Sequence, residues 1–203
     1  MPRPPVTRPD DLTDALVRVV VREGLDRVSI RTVAAEAGVS IGTVQYHFAT
    51  KDDLLLAAYR RVINQVTERA LAAAAGARSQ AEFVRTLLLQ LLPLDGVREA
   101  ELRVGIAFSA RSVHAPPLAE LYAEANGALV DALTRALRDA VTRGETPEDE
   151  DPERAARQLA ALADGLAWHL ACAPGALSAA DAVAALDARL AELFPRDGPP
   201  AGP

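Results

Sequence analysis

The sequence has few aromatic residues, a single cysteine and no long apolar run. Aromatic side chains make up 4% of the 203 residues, so the core must be built from alanine and leucine on closely packed helices. Because Cys172 is the single cysteine, the chain has no intramolecular disulfide framework, which is consistent with a reducing compartment. No apolar stretch reaches membrane-spanning length, and the proline-rich start lacks the apolar segment of a secretory signal. We therefore expect a soluble, cytoplasmic protein with no membrane partner.

The patterns of common enzyme sites are missing too. The three histidines, His47, His114 and His169, and Cys172 do not have the spacing of metal ligands. The glycines form no phosphate-binding loop after a strand, and no serine lies in a nucleophile elbow. We expect neither an enzyme nor a metal or cofactor site.

Hydrophobic periodicity predicts an all-α protein of about nine helices and no strands. Capping residues mark several helix starts, among them Ser79, Asp95, Asp151 and Ser178. We divide the chain into a disordered arm (1–9), a three-helix module (10–51), a larger helical domain (52–195) and a disordered tail (196–203). The first helix is expected from Asp10 or Asp11 to Glu23. The arm carries Arg3 and Arg8, which are either part of a plain tail or contacts to DNA.

Residues 29–51 are the most informative stretch. Two short amphipathic patterns, Ile30–Ala37 and Ile41–Phe48, meet at Gly38 and Ser40, which are suited to end one helix and cap the next. Val44 and Phe48 are four residues apart and should pack inward. This spacing predicts a helix-turn-helix.

The outward face of the second helix is short, polar and aromatic, and it carries no acid. Such a face suits the major groove of double-stranded DNA. We predict that Thr43 and Gln45 reach base edges, that Tyr46, His47 and Lys51 contact phosphates, and that Gly42 permits close approach. Thr50 and Asp53 form a predicted capping box that places Lys51 at a helix N-terminus. The full set of predicted DNA-binding residues is Ser29, Arg31, Thr32, Ser40, Ile41, Gly42, Thr43, Gln45, Tyr46, His47 and Lys51.

Charge is distributed unevenly along the chain. The net charge is −6, yet residues 1–75 hold 10 Lys and Arg against 9 Asp and Glu. The acidity therefore belongs to the remainder, and Arg18, Arg22, Arg27, Arg31 and Lys51 are left available for a DNA backbone.

The run AxxAGVSxGTVQYHFxxKxxL resembles the DNA-binding domain of the TetR family of transcriptional regulators. It is written here as Ala34, Ala37–Ser40, Gly42–Phe48, Lys51 and Leu54. The resemblance implies three DNA-binding helices followed by six helices of a ligand-binding and dimerisation domain. It further implies a homodimeric repressor that a small, hydrophobic effector releases from a palindromic operator. The alternatives are an activator or effector-independent regulator, and a helical ligand-binding or scaffold protein without DNA function.

Two apolar stripes lie in the last two predicted helices. The stretch ALADGLAWHL, with the closing helix, is similar to the C-terminal region of BetI-like family members. Two such helices from each of two copies would form a four-helix dimer interface, but periodicity does not distinguish this from intramolecular core. The candidate interface residues are Ala156, Leu159, Ala163, Leu166, Leu170, Val183, Leu186 and Leu190.

A ligand cavity is implied by the resemblance and not by any motif. The bulky or polar residues available to line it are Phe83, Phe108, Arg111, His114, Tyr122, Asn126, Trp168, His169 and Cys172. Each has a plain alternative as a core aromatic or a surface polar group. Apolar walls with few polar anchors suit a hydrophobic small molecule.

Overall fold

The computed structural model describes residues 8–173 and 175–195. Within these ranges it contains nine α-helices and a 3-10 helix at Leu25–Arg27, so the predicted all-α class is confirmed. The helices are α1 (Pro9–Glu23), α2 (Ile30–Ala37), α3 (Ile41–His47), α4 (Lys51–Ala74), α5 (Gln80–Leu89), α6 (Gly96–Ser112), α7 (Pro116–Thr142), α8 (Pro152–Cys172) and α9 (Ala179–Leu193). In this part of the chain, no helix is long and apolar enough to span a membrane. Arg3 and residues 196–203, with their predicted disorder, lie outside the described residues.

The chain divides into two compact units. The described residues of the amino-terminal unit are 8–65 and 103–122. Those of the carboxyl-terminal unit are 66–102, 123–173 and 175–195. The first part of α4 and the last part of α6 therefore belong with the first three helices, beyond the predicted module boundary at residue 51.

Helices α1, α2 and α3 pack around a small apolar core. Leu12 and Leu16 of α1, Val33 of α2 and Val44 of α3 are all 0% exposed. The inward positions predicted from helical spacing are thus confirmed, including Phe48 at the end of α3, which is also buried. Truncating one such side chain to alanine typically costs about 2–5 kcal/mol for a leucine, so this core fixes α3 firmly.

Helices α4 and α6 complete the amino-terminal unit through an aromatic pair and an ion pair. The ring of Phe108 on α6 is fully buried and stacks on Tyr59 of α4, with centroids 4.8 Å apart and planes 5° from parallel. Arg61 of α4 donates from Nε and Nη2 to the two carboxylate oxygens of Asp14 on α1, at 2.7 and 3.0 Å. Its Nη1 lies 3.1 Å from Asp10 Oδ2. These contacts tie α4 to both α1 and α6.

The carboxyl-terminal unit has a core of leucine and alanine. Its fully buried leucines include Leu88 of α5, Leu133 and Leu137 of α7, Leu159 of α8 and Leu186 of α9. Fully buried alanines lie between them, at Ala140, Ala155, Ala156 and Ala163. Small side chains at helix contacts allow the helix axes to approach closely, which is how a sequence poor in aromatic residues fills its interior.

Most of the stripe predicted as a dimer interface lies inside this core. Ala156, Leu159, Ala163 and Leu186 are 0% exposed in a single chain, and Leu190 is 6% exposed. Side chains already buried in one copy have no surface left for a second, so the interface prediction is wrong for these five and the intramolecular alternative holds. Leu166, Leu170 and Val183 are half-buried and pack against a second buried cluster of Leu92, Ala167 and Ala182, and Leu166 also packs against the main core.

Four helix starts follow the predicted caps. Ser79, Asp95, Asp151 and Ser178 each accept a hydrogen bond from a backbone N–H two or three residues later, at 2.9 to 3.1 Å. These N–H donors favour the charged carboxylate, and they lower the pKa of both Asp95 and Asp151. The helix boundaries of the carboxyl-terminal unit are therefore set by local chemistry that the sequence contains.

Candidate nucleic-acid interface

The turn between α2 and α3 has the geometry that its residues predict. Gly38 adopts the left-handed conformation, with φ of 68°. Its N–H donates to the carbonyl of Ala35 at 3.2 Å, and the N–H of Val39 donates to the carbonyl of Ala34 at 3.0 Å. This pair of bonds closes α2 in the manner of a Schellman motif. Ser40 then starts α3 by accepting the N–H of Thr43 at 3.0 Å.

One face of α3 is open to solvent. Tyr46 is 86% exposed and Ile41 is 45% exposed, while Gln45 and Gly42 are also exposed. Gln45 has no side-chain hydrogen bond to any residue in the described part of the chain. Among the described residues, a Cβ added at Gly42 would meet only the hydroxyl of Ser40, at an ordinary 3.7 Å, so their packing does not require glycine there. The buried Val44 and Phe48 hold this face outward.

Two hydroxyl pairs are engaged within the module. The hydroxyls of Ser40 and Thr43 lie 2.9 Å apart. At the start of α2, the N–H of Ser29 donates to the hydroxyl of Thr32 at 2.8 Å, and the N–H of Thr32 donates to the hydroxyl of Ser29 at 3.1 Å. The side chains of Ser29, Thr32 and Ser40 therefore cap their helices. The contact with Ser40 also fixes the position of the Thr43 hydroxyl at the edge of the exposed face.

The aromatic residues at the end of α3 order one another. The rings of Tyr46 and His47 meet edge to face, with centroids 5.1 Å apart and planes at 82°. His47 is half-buried by these neighbours, whereas the Tyr46 ring projects into solvent. The edge-to-face geometry is the favoured one for aromatic pairs, so the tyrosine is restrained although it is exposed.

Lys51 begins α4 beside this face. The predicted capping box is present: the N–H and hydroxyl of Thr50 donate to Oδ2 of Asp53 at 3.0 and 2.8 Å, and the N–H of Asp53 donates to the Thr50 hydroxyl at 3.1 Å. Lys51 and the exposed Arg31, in the first turn of α2, form no ion pair with any residue that the structure describes. Among the described residues, these two positive side chains thus have no ion-pair partner.

Arg18 and Arg22 are not available in the way the sequence suggested. Arg18 Nε and Arg22 Nη1 both donate to the carboxylate of Glu36, each at 2.8 Å. Arg22 also donates to Glu23 at 2.8 Å. The hydrogen bonds from Arg18 and Arg22 lower the pKa of Glu36. Arg18 and Arg22 are therefore not the free charges that the sequence predicts, and contact of Arg27, Arg31 and Lys51 with a DNA backbone stays a prediction.

The residues predicted to line a ligand pocket are distributed over both units. Phe108, Arg111, His114 and Tyr122 belong to the amino-terminal unit, and Phe83, Asn126, Trp168, His169 and Cys172 belong to the carboxyl-terminal unit. Phe108 is a core aromatic on Tyr59, which was its plain alternative. Arg111 is bound to Asp52. On α8, Trp168, His169 and Cys172 are exposed.

An open cleft of about 200 Å³ lies among the end of α4, the start of α5 and the end of α7. Phe83 is the one member of the predicted pocket set that lines it, beside Arg78, Ser79, Gln80 and Arg143.

The ion pair between Arg111 and Asp52 is not predictable from the sequence. The two residues are 59 positions apart, and no pattern in the sequence connects them.

Helices α1 to α3 form a compact core and leave one face of α3, the second helix of the helix-turn-helix, exposed to solvent with positively charged side chains at its edges. This is the architecture of a DNA-binding regulator of transcription. The model of the family described as bacterial regulatory proteins, tetR family, matches residues 12–58. The model described as BetI-type transcriptional repressor, C-terminal, matches residues 80–195. The chain belongs to the TetR family of transcriptional regulators, and its C-terminal region is of the BetI type.

Relatives and solved structures agree with this membership. The chain is 31% identical to the HTH-type transcriptional regulator BetI of Paraburkholderia phytofirmans, over 76% of this chain and 77% of the relative. It is 28% identical to the HTH-type transcriptional regulator PksA of Bacillus subtilis, over 80% and 78%. A transcriptional regulator from Rhodococcus sp. Rha1 superposes with a TM-score of 0.81 at 33% identity, covering 92% of this chain and 96% of that one.

A further structural neighbour was solved with a small molecule. It is a protein from Saccharomonospora viridis described as a transcriptional regulator, in complex with choline. It superposes with a TM-score of 0.83 at 26% identity, covering 89% of this chain and 93% of that one.

Proposed function

We propose that this regulator is a homodimeric repressor that binds a near-palindromic operator and is released by a small-molecule effector. The observation that carries the proposal is the exposed face of α3, where Gln45 and Tyr46 project into solvent and no packing among the described residues requires glycine at position 42. Residues kept at a surface without a role in the fold are those expected to meet a partner.

Each subunit places α3 in a major groove. Thr43 and Gln45 read base edges, since a glutamine amide matches the donor and acceptor pair of adenine. Tyr46, His47 and Lys51 contact phosphates, and Arg31, with Ser29 and Thr32 at the start of α2, holds the neighbouring backbone. Lys51 is well placed for this because its helix N-terminus also attracts anions.

The dimer forms through the exposed faces of α8 and α9, not through the buried stripe. Ala161, Gly165 and Trp168 are exposed on α8 at helical spacing, and Trp168 is 52% exposed. On α9 the exposed face carries Ala184 and Ala188. Small residues allow two copies to approach closely, and a central tryptophan is a common energetic anchor of interfaces. With two subunits, half-sites about one helical turn or a multiple apart are expected.

The effector releases the operator DNA because it has different affinities for two conformations of the dimer. It binds the carboxyl-terminal unit more tightly in the conformation whose recognition helices are wrongly spaced for the operator. Binding therefore shifts the dimer to that conformation. Hydrophobic small molecules suit a cavity with apolar walls. Choline should be among the first compounds tested as effectors, because the Saccharomonospora viridis neighbour was solved with it.

Selection of binding sites from random double-stranded DNA tests the proposal. A repressor dimer enriches a near-palindrome, and a thermal-shift screen of metabolites and antibiotics then finds compounds that raise the melting temperature and release that DNA. Enrichment without any releasing compound favours an effector-independent regulator. Failure to enrich any palindrome would favour a helical ligand-binding protein and refute the proposal.

A further inference from the structure

The start of α4 carries more negative charge than a phosphate-binding site should. Lys51 is followed directly by Asp52 and Asp53. The carboxylate of Asp53 is used by the capping box with Thr50. The Asp52 side chain is 76% exposed, and an exposed carboxylate beside Lys51 would repel the phosphate that Lys51 attracts.

Arg111 supplies the compensating charge from another helix. Its Nη2 donates to Oδ1 of Asp52 at 2.8 Å. Arg111 lies in the last turn of α6, three residues after Phe108, whose buried ring stacks on Tyr59 of α4. The aromatic stack therefore holds the end of α6 against α4 and keeps the guanidinium within reach of Asp52.

We propose that Arg111 is a positioning residue of the DNA interface, which neutralises Asp52 and so lets the start of α4 accept a DNA phosphate. This inference rests on the proposed DNA-binding function. Arg111 does not itself have to touch DNA. Its effect passes through Asp52, and removing Asp52 should make Arg111 dispensable.

The size of the effect follows from Coulomb's law. An uncompensated carboxylate about 8 Å from a phosphate weakens binding about two- to three-fold in water. A dimer with two equivalent contacts therefore loses about six-fold. Salt screens this repulsion, because the Debye length falls from about 30 Å at 0.01 M to about 10 Å at 0.1 M ionic strength, so about four-fold remains at 0.01 M and about two-fold at 0.1 M.

The test is a double-mutant cycle on the selected operator, read by fluorescence anisotropy at low and high salt. The variants are Arg111→Ala, Asp52→Asn and the double variant, with Arg135→Ala as a control that loses the same charge from an exposed position on α7. Melting temperatures and sedimentation confirm that each variant is a folded dimer.

Arg111→Ala should weaken binding about four-fold at 0.01 M salt and about two-fold at 0.1 M salt. Asp52→Asn should bind at least as well as wild type, and the double variant should return to within two-fold of wild type. Equal affinity of Arg111→Ala and wild type, or a double variant as weak as Arg111→Ala, would overturn the inference while leaving the proposed function intact. A wild-type chain that binds no DNA would overturn the proposed function and this inference with it.

Discussion

Replacing Gly38 by alanine tests the turn on which the DNA interface depends. A Cβ at Gly38 would meet no atom of the described residues within 4 Å, so the cost is one of backbone conformation and not of packing. An L-residue at a left-handed φ, here 68°, costs about 1–2 kcal/mol. Alanine also reduces the freedom of the unfolded chain, which returns about 0.4–1 kcal/mol. We expect a net loss of about 1 kcal/mol.

Gly127→Ala is the matched control. Gly127 lies within α7, and an added Cβ there also meets no atom within 4 Å in the part of the chain that the structure describes. Its backbone is helical, so alanine gains about 1 kcal/mol from helix propensity. The same substitution should therefore lower the free energy of unfolding at Gly38 and raise it at Gly127.

Urea unfolding followed by circular dichroism measures both effects. With a slope of about 2 kcal/mol/M, each shift of the midpoint is about 0.5 M. Gly38→Ala should lower the midpoint and Gly127→Ala should raise it. A Gly38→Ala midpoint equal to or above that of wild type would refute the role given to the left-handed turn.

Three further changes test other parts of the structure. Asp151→Ala removes the cap of α8 and should cost about 1 kcal/mol in urea unfolding, and a loss below about 0.3 kcal/mol would show that the cap is idle. Trp168→Asp should shift the protein from dimer to monomer in sedimentation, while Val97→Asp, at another exposed apolar position, should leave the dimer intact. If both variants sediment as dimers, the proposed interface is contradicted. The pKa of Glu36 is lowered in the folded state, so its ion pairs stabilise above the unfolded pKa near 4.5 and this contribution is lost as pH falls through the folded pKa. Glu36→Gln should therefore lower the melting temperature at pH 7 and match wild type in strong acid, whereas an equal deficit at both pH values would show that charge is not the cause.

Local features were predictable because their causes lie within a few residues. Gly38 ends α2 and Ser40 caps α3 through contacts that span at most five positions. The capping box of Thr50 and Asp53 is equally local. Inward positions such as Val44 followed from helical spacing, since one face of each short helix had to be apolar.

Features that depend on packing between distant segments were not predictable. The helical pattern of Leu159 and Leu186 is the same for core and for interface, and only the fold shows that both are buried in one chain. The pairing of Arg18 with Glu36 and of Arg111 with Asp52 joins residues 18 and 59 positions apart. Formal charge along the sequence therefore overestimated the free arginines near the interface and missed the one that serves Asp52.

The exposed face of α3 and the start of α4 are the proposed DNA-binding surface. Its most direct test is the dissociation constant for the selected operator, measured by gel shift for wild type, Tyr46→Ala, Lys51→Ala and the Arg135→Ala control. Tyr46 is 86% exposed and Arg135 is also exposed, so these variants should fold and dimerise normally. Tyr46→Ala and Lys51→Ala should each bind at least about ten-fold more weakly, since each removes one contact from both half-sites, and Arg135→Ala should bind as wild type. Unchanged affinity in both Tyr46→Ala and Lys51→Ala, with the dimer intact, would contradict the proposed surface.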